Sequence, residues 1–345
     1  MNFYKNKKLF FPILLLIAII IVLFKFSELR EIGQLFKQAK WYWLVLALLS
    51  QWLNFSLQAN VYRASFKILK MPQMSFLKFI RIGITVIFLN FTIPSLGFAG
   101  NIWFLKKLKK QGIKEGKALL VVVIEFLCYY ATFFLLLILS LVYLFFKLGH
   151  VGYTQKIAVI GFGLITCLVV YILYFFVGQK KRAHKRVVWL AEKIDKAEDG
   201  IRQEERIKEL LNDFYENFTW LKKNKTKLLR PALMQFLKFL SDGLTIFLIF
   251  LAFGSLVPIG LGVVAFAFGR LFGVLSFIPG GVGAFDAAMV LIFNSLGVSF
   301  ELALSVMLIY RLFSFWIYFP LGLFFYKQFD KQKSSPPFQG GAGGG

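Results

Sequence analysis

Long apolar runs alternate with short basic loops along most of this chain. The runs cover about residues 9–24, 41–62, 79–93, 118–146, 157–177, 231–252, 256–275 and 302–326, with broken apolar segments after the third and the seventh. Runs of this length and composition predict membrane-spanning helices. The reading is an all-α integral membrane protein with about seven to eight spanning helices and two re-entrant, Pro/Gly-broken hairpins arranged as inverted repeats.

The two breaks carry the argument. Residues 276–286 hold Pro279, Gly280, Gly281, Gly283 and Asp286 between apolar runs, and residues 91–101 hold Pro94, Gly97, Gly100 and Asn101. A separation of 185 residues pairs Ile93 with Ile278, Pro94 with Pro279, Ala99 with Ala284, Asn101 with Asp286 and Gly112 with Gly297, without a gap. Backbone that leaves its helix inside hydrocarbon strands N–H and C=O groups, at several kcal/mol each, unless protein covers it or it lines a cavity. Matching interruptions in two halves point to a transporter-like binding site.

Charge orients the chain. Basic loops at 63–78, 106–117 and 178–230 read as cytoplasmic, as does the basic start at Lys5, Lys7 and Lys8. The loop 294–301 has no basic residue and reads as external. The first broken hairpin then enters from the cytoplasm and the second from outside, with both termini cytoplasmic in a multi-pass cytoplasmic (inner) membrane protein. The mixed-charge loop at 25–40 fits this topology least well. Residues 1–24 imitate a signal peptide but lack a small-residue cleavage site, and read as a retained first helix. The single membrane domain spans 1–330: a first half to about 177, a cytoplasmic connector over 178–230 and a second half over 231–330. Residues 331–345 read as a disordered tail, Pro- and Gly-rich from Ser334 on. The connector, with 15 basic and 9 acidic residues, shows an amphipathic helical pattern over 201–221.

Composition agrees: of 345 residues, 58% are hydrophobic and mean hydropathy is +0.69. The net charge of +24 lies in the loops and suits anionic headgroups rather than nucleic acid. Cys128 and Cys167 lie in apolar runs without metal-ligand spacing and read as packing residues; His150 and His184 sit in loops with no catalytic setting. No P-loop, HExxH, zinc spacing or GxSxG occurs, so no enzyme, metal or cofactor is expected. Gly269–Gly273 is a GxxxG and reads as close helix packing.

Six ionisable residues fall within apolar runs: Glu125, Lys238, Asp242, Arg270, Asp286 and Arg311. Each costs roughly 2.5–3.5 kcal/mol at a helix centre and should face the interior, pair, or line a wet cavity. Gln51, Asn54 and Gln58 form one polar face; Gln235, Lys238, Asp242 and Thr245 form another, in which Lys238 and Asp242 stand one turn apart and could pair. The first face reads as hydrogen-bonding between helices. The expected site is a midplane cavity in which Arg270 and Arg311 draw in an anionic headgroup. Helix amino ends near Pro94 and Pro279 assist, while Glu125, Asp286 and Asp242 balance or gate the arginines and Asn101 contributes a contact. Charge pairing that serves only to fix helix register is the competing reading.

Ile278-Pro279-Gly280-Gly281-Val282-Gly283, then Asp286, Gly297, Ala303 and Tyr310-Arg311, resemble the lysylphosphatidylglycerol synthase transmembrane family, also described as UPF0104. Arg63, Asn90, Pro94, Gly100, Gly112, Ala118 and Glu125 agree in the first half, and the resemblance covers about residues 9–328. Asn101 and Phe126 depart from it, standing where an acidic residue and an arginine are expected. The resemblance implies lipid translocation, since in multiple peptide resistance factor proteins this domain is associated with moving aminoacylated phosphatidylglycerol. Those proteins append a soluble transferase domain for which this chain has no room. The expected function is a flippase or transporter of an anionic phospholipid or lipid-linked substrate. The rivals are a membrane transferase using Glu125 or Asp286 as base, and a non-transporting envelope scaffold.

Overall fold

The computed structural model describes residues 37–93, 98–149, 200–276 and 278–331, together with 153, 160 and 163. The expected first helix at 9–24, the run at 157–177 apart from 160 and 163, the tail from 332 on, His150, His184, Cys167, Pro94 and Gly97 lie outside the described residues. The described residues form helices joined by turns, with no strand among them.

Helix α1 spans Trp41–Ile68, α2 Phe76–Thr92, α3 Ala99–Lys110 and α4 Glu115–Leu148. The connector helix α5 covers Gly200–Lys223, and a 3-10 turn at Lys225–Leu228 leads into α6, Leu229–Ala252. Then come α7 (Ile259–Leu275), a turn at Pro279–Gly281, α8 (Ala284–Ser295), α9 (Phe300–Arg311), a π-helical turn at Leu312–Trp316 and α10 (Tyr318–Lys331). Two of the differences from the sequence reading have a visible cause. Helix α1 runs six residues past Tyr62, because Ala64, Ser65, Phe66 and Ile68 are buried and keep the helix packed to its end. The last span is interrupted after Arg311 by the π turn, where Ile317 N–H donates to Leu312 O at 3.2 Å.

Among the described residues, three helical segments are long and apolar enough to cross a membrane: Glu115–Leu148, Lys225–Ala252 and Phe300–Phe329. The shorter apolar helices α7 and α8 have 17 and 12 residues, about 25 and 18 Å of rise. Helix α1 has inside-out amphipathicity: Trp41, Val45, Leu49, Trp52 and Leu53 are exposed while Gln51, Asn54 and Gln58 are buried. Such a surface is stable only where the solvent is hydrocarbon, because apolar groups then gain nothing by turning inward and polar groups must find partners within the protein. This is an integral membrane protein.

The 185-residue repeat reappears in the elements. Helices α2 and α7 both have 17 residues, and α3 and α8 both have 12. Helix α3 starts at Ala99 and α8 at Ala284; α4 starts at Glu115 and α9 at Phe300. Gly112 and Gly297, one separation apart, both take left-handed φ, +78° and +88°, in the turns before α4 and α9. The equivalent helices α1 and α6 pack side by side and antiparallel. Lys40 N–H donates to Ala252 O at 2.8 Å, Ser50 Oγ to Ser241 O at 3.1 Å and Asn54 Nδ2 to Lys238 O at 3.1 Å.

Two apolar cores stack along α4. One gathers α6 to α9 around Phe133, Phe250, Phe268 and Phe293; the other gathers the end of α1 with α2, α3 and the start of α4 around Tyr62, Phe66, Phe79 and Phe104. The connector α5 docks on the second core: Phe214 and Leu221 are buried, and Asp213 accepts the Lys117 N–H at 2.9 Å, capping the start of α4. The polar residues lie where the cores meet.

Candidate functional site

The two polar stripes read from the sequence face each other across the α1–α6 contact. Asp242 is the hub. Its carboxylate accepts from Asn54 Nδ2 at 3.0 Å and Tyr310 Oη at 2.9 Å, with Gln51 Nε2 at 3.4 Å. Gln51 also donates to Thr245 Oγ1 at 3.0 Å, and Asn54 to Ser241 Oγ at 3.0 Å. Thus α1, α6 and α9 are held by one buried network. Interhelical hydrogen bonds of this kind contribute about 0.6 kcal/mol each in a membrane.

Lys238 does not pair with Asp242. Its ammonium donates to Gln58 Oε1 at 2.5 Å, and Gln58 Nε2 in turn donates to Glu125 Oε1 at 2.8 Å. Tyr62 Oη reaches the same carboxylate oxygen at 3.0 Å. The amide of Gln58 therefore stands between a buried cation and a buried carboxylate, linking α6 to α4 through α1. Glu125 Oε2 is buried and finds no hydrogen-bond partner among the described residues. The i, i+4 spacing allowed a Lys238–Asp242 pair, but the opposing helix offers each of them a partner closer to its own level.

The arginines part company. On α9, Arg311 is buried, and all its donor groups are engaged: Nε with Asp286 Oδ1, Nη1 with Gly280 O at 3.2 Å and Nη2 with Gly281 O at 3.2 Å. Its guanidinium stacks over Phe285, 4.3 Å from the ring centroid. Asp286 also accepts the Gly283 N–H at 2.8 Å, capping α8 at its third residue. The amino end of α8, expected to favour an incoming anion, is already served by the chain's own carboxylate. Arg311 and Asp286 thus hold the broken segment together, and the expected attraction of a headgroup by Arg311 is not what this geometry provides.

That segment is built for close approach. Gly280, Gly281 and Gly283 have φ of +66°, +65° and +84°, and a Cβ on Gly281 would lie 2.8 Å from the Gly273 Cα. Gly269 and Gly273 of the GxxxG pack on Phe285, as the sequence suggested. In the first half, Gly100 presses on Val86 and donates its N–H to Asn90 Oδ1 at 2.7 Å. Asn101 is buried on α3. Phe126, the other departure, packs with Phe98 and Tyr130.

Arg270 is different. Its Nε donates to Tyr129 Oη at 2.8 Å and its guanidinium lies 5.8 Å from that ring's centroid, but it pairs with no carboxylate among the described residues. The sequence reading missed all three tyrosines, Tyr62, Tyr129 and Tyr310, as partners of the buried charges. A signal existed for two of them: Tyr62 is four residues from Gln58 and Tyr129 four from Glu125, one helical turn on the same face. Cys128 is buried and free, as a packing residue would be, and no group of metal-ligating side chains gathers among the described residues.

Residues 10–322 match the family described as Lysylphosphatidylglycerol synthase TM region. The chain belongs to that family. Every residue of the buried networks lies within the matched span. Curated relatives of this lysylphosphatidylglycerol synthase TM region protein include two UPF0104 membrane proteins of Methanothermobacter thermautotrophicus, 25% identical over 163 residues and 28% over 177. These matches cover 46% and 50% of this chain, which thus spans about half the length of those relatives, 48% and 52%. A UPF0104 membrane protein of Methanocaldococcus jannaschii is 26% identical over 264 residues, 72% of this chain and 74% of the relative. No solved structure matches the chain.

Proposed function

We propose that this protein is a flippase that moves an anionic phospholipid or lipid-linked substrate across the cytoplasmic membrane by alternating exposure of a midplane site. The observation that carries the reading is Arg270. It is a guanidinium set among helices near a buried polar layer, held by one tyrosine hydroxyl, and no carboxylate among the described residues pairs with it directly. A charge kept at membrane depth without a counter-ion is expensive and is expected where a substrate supplies the opposite charge. Lys238, Gln58 and Glu125 form a relay that a passing headgroup can reorganise.

The repeat supports alternating access. We read the α2–α3 and α7–α8 pairs as re-entrant hairpins in inverted halves, with seven to eight spans in all. Their arms are too short to span about 30 Å of hydrocarbon singly, and the paired helices α1 and α6 run antiparallel. Helix α2 also reaches the second break, where Phe91 packs 4.8 Å from Phe315 and Phe315 lies against Gly280. Lys67, Lys70, Lys227 and Arg230 cluster where α1 ends and α6 begins, which supports reading that end as cytoplasmic.

The test is a dithionite-quench assay on the full chain in proteoliposomes, using fluorescent phosphatidylglycerol and phosphatidylcholine. Wild type should move the anionic lipid, and Arg270→Ala should slow it by about tenfold or more, the worth of a charge-assisted hydrogen bond, with its unfolding midpoint unchanged. Equal rates for wild type and the folded variant would reject the site.

A further inference from the structure

A second basic site stands apart from the buried layer, in a cleft of about 600 Å³ between the end of α1, the end of α5 and the start of α6. Its charged side chains are Lys67, Lys70, Lys227 and Arg230, and its apolar wall includes Ile68, Leu229 and Leu233. Leu229 and Leu233 are 74% and 51% exposed, one turn apart on α6.

The placement of these charges opposes the fold's own preferences. The amino end of a helix carries partial positive charge and favours acidic residues. The first turn of α6 has none, and Arg230 is its second residue, with Lys225 and Lys227 in the preceding 3-10 turn. Lys70 is the one non-glycine residue with positive φ among the described residues, +50°. It closes α1 in a left-handed cap, with Met71 N–H bonded to Phe66 O and Lys70 N–H to Lys67 O. Helix α6 ends with the same two bonds, Ser255 to Phe250 and Gly254 to Leu251, and there the left-handed residue is glycine, φ +75°. One half of the repeat uses the residue suited to this cap; the other puts a lysine there, at a conformational penalty for an L residue. Helix-dipole compensation accounts for the charges of Lys67 and Lys70 at the carboxyl end of α1, but neither for the left-handed φ of Lys70 nor for Arg230. Lys67, Lys70 and Arg230 pair with no carboxylate among the described residues, and Lys227 lies over the Trp220 ring, 4.4 Å from its centroid.

We propose that this cleft is a resident binding site for the headgroup of an anionic phospholipid, whose acyl chains lie along Leu229 and Leu233. Basic pockets between helices at a membrane surface hold such headgroups, and the exposed leucines beside the charges suit a lipid better than a free anion. The site is separate from Arg270 and does not depend on the chain transporting anything.

The experiment is native mass spectrometry of the full chain in neutral detergent, titrated with phosphatidylglycerol or phosphatidylcholine. Wild type should retain phosphatidylglycerol over phosphatidylcholine, and the double variant Lys70→Gly, Arg230→Gln should lose at least about tenfold in affinity for it, at several-fold per basic residue near a surface. Lys70→Gly alone should weaken binding while leaving the unfolding midpoint unchanged or higher, since it restores the favoured cap residue. Equal retention of the two lipids, unchanged binding by the double variant, or displacement by inorganic phosphate as effective as by lipid would overturn the assignment.

Discussion

Arg311 and Asp286 close the second broken segment from opposite sides: the guanidinium comes from the end of α9 and the carboxylate from the first turn of α8. Around them the Gly280 and Gly281 carbonyls, which leave helical bonding at the break, accept from the same guanidinium. A backbone that has given up its own hydrogen bonds is thereby satisfied by one side chain.

Arg311→Ala should therefore act on stability before it acts on any substrate. Removing one partner of a buried pair costs about 3–5 kcal/mol because the other charge is left uncompensated. Arg311→Lys should recover only part of this, since an ammonium cannot present the planar fork that reaches a carboxylate and two carbonyls together. Unfolding in detergent by a graded SDS titration measures both, and a midpoint for Arg311→Ala equal to wild type would contradict the clamp.

Gly281→Ala and Gly297→Ala separate packing from backbone strain. Both glycines have positive φ, which costs an L residue roughly 1–2 kcal/mol. A Cβ at 297 meets nothing within 4 Å, whereas at 281 it lies 2.8 Å from the Gly273 Cα. Overpacking against backbone adds about 1–3 kcal/mol. Gly281→Ala should be the more destabilising by that difference in the same titration.

Tyr310→Phe and Asp242→Asn should be coupled, because the hydroxyl donates to the carboxylate at 2.9 Å. A double-mutant cycle on unfolding free energy should give about 0.6 kcal/mol, with about 1.7 as the upper end for membrane helices. Additive effects would mean that the network does not bind α9 to α6.

The proposed inverted arrangement makes a labelling prediction. Lys114 and Ser299 precede α4 and α9, are exposed, and are equivalent at the 185-residue separation. In a background with Cys128 and Cys167 replaced by serine, an impermeant maleimide should label Ser299→Cys in intact cells. Lys114→Cys should react only after permeabilisation. Labelling of both from one side would rule out inverted halves.

The sequence by itself determined the class of molecule and its internal repeat. Apolar run lengths depend on bilayer thickness, and Pro and Gly at equal separation depend on local backbone needs, so both are legible without tertiary contacts. The polar faces of α1 and α6 were legible for the same reason, since helical period alone sets which residues share a face. Pairing was not. Whether Lys238 meets Asp242 or Gln58 depends on the level at which two helices cross, and the hydrophobic pattern leaves that level open. The same holds for the arginines, alike in sequence as cations in apolar runs. Tertiary structure alone placed Arg311 beside Asp286 and two bare carbonyls, and Arg270 beside a tyrosine, because a buried charge takes its role from the groups that packing brings within about 3 Å of it.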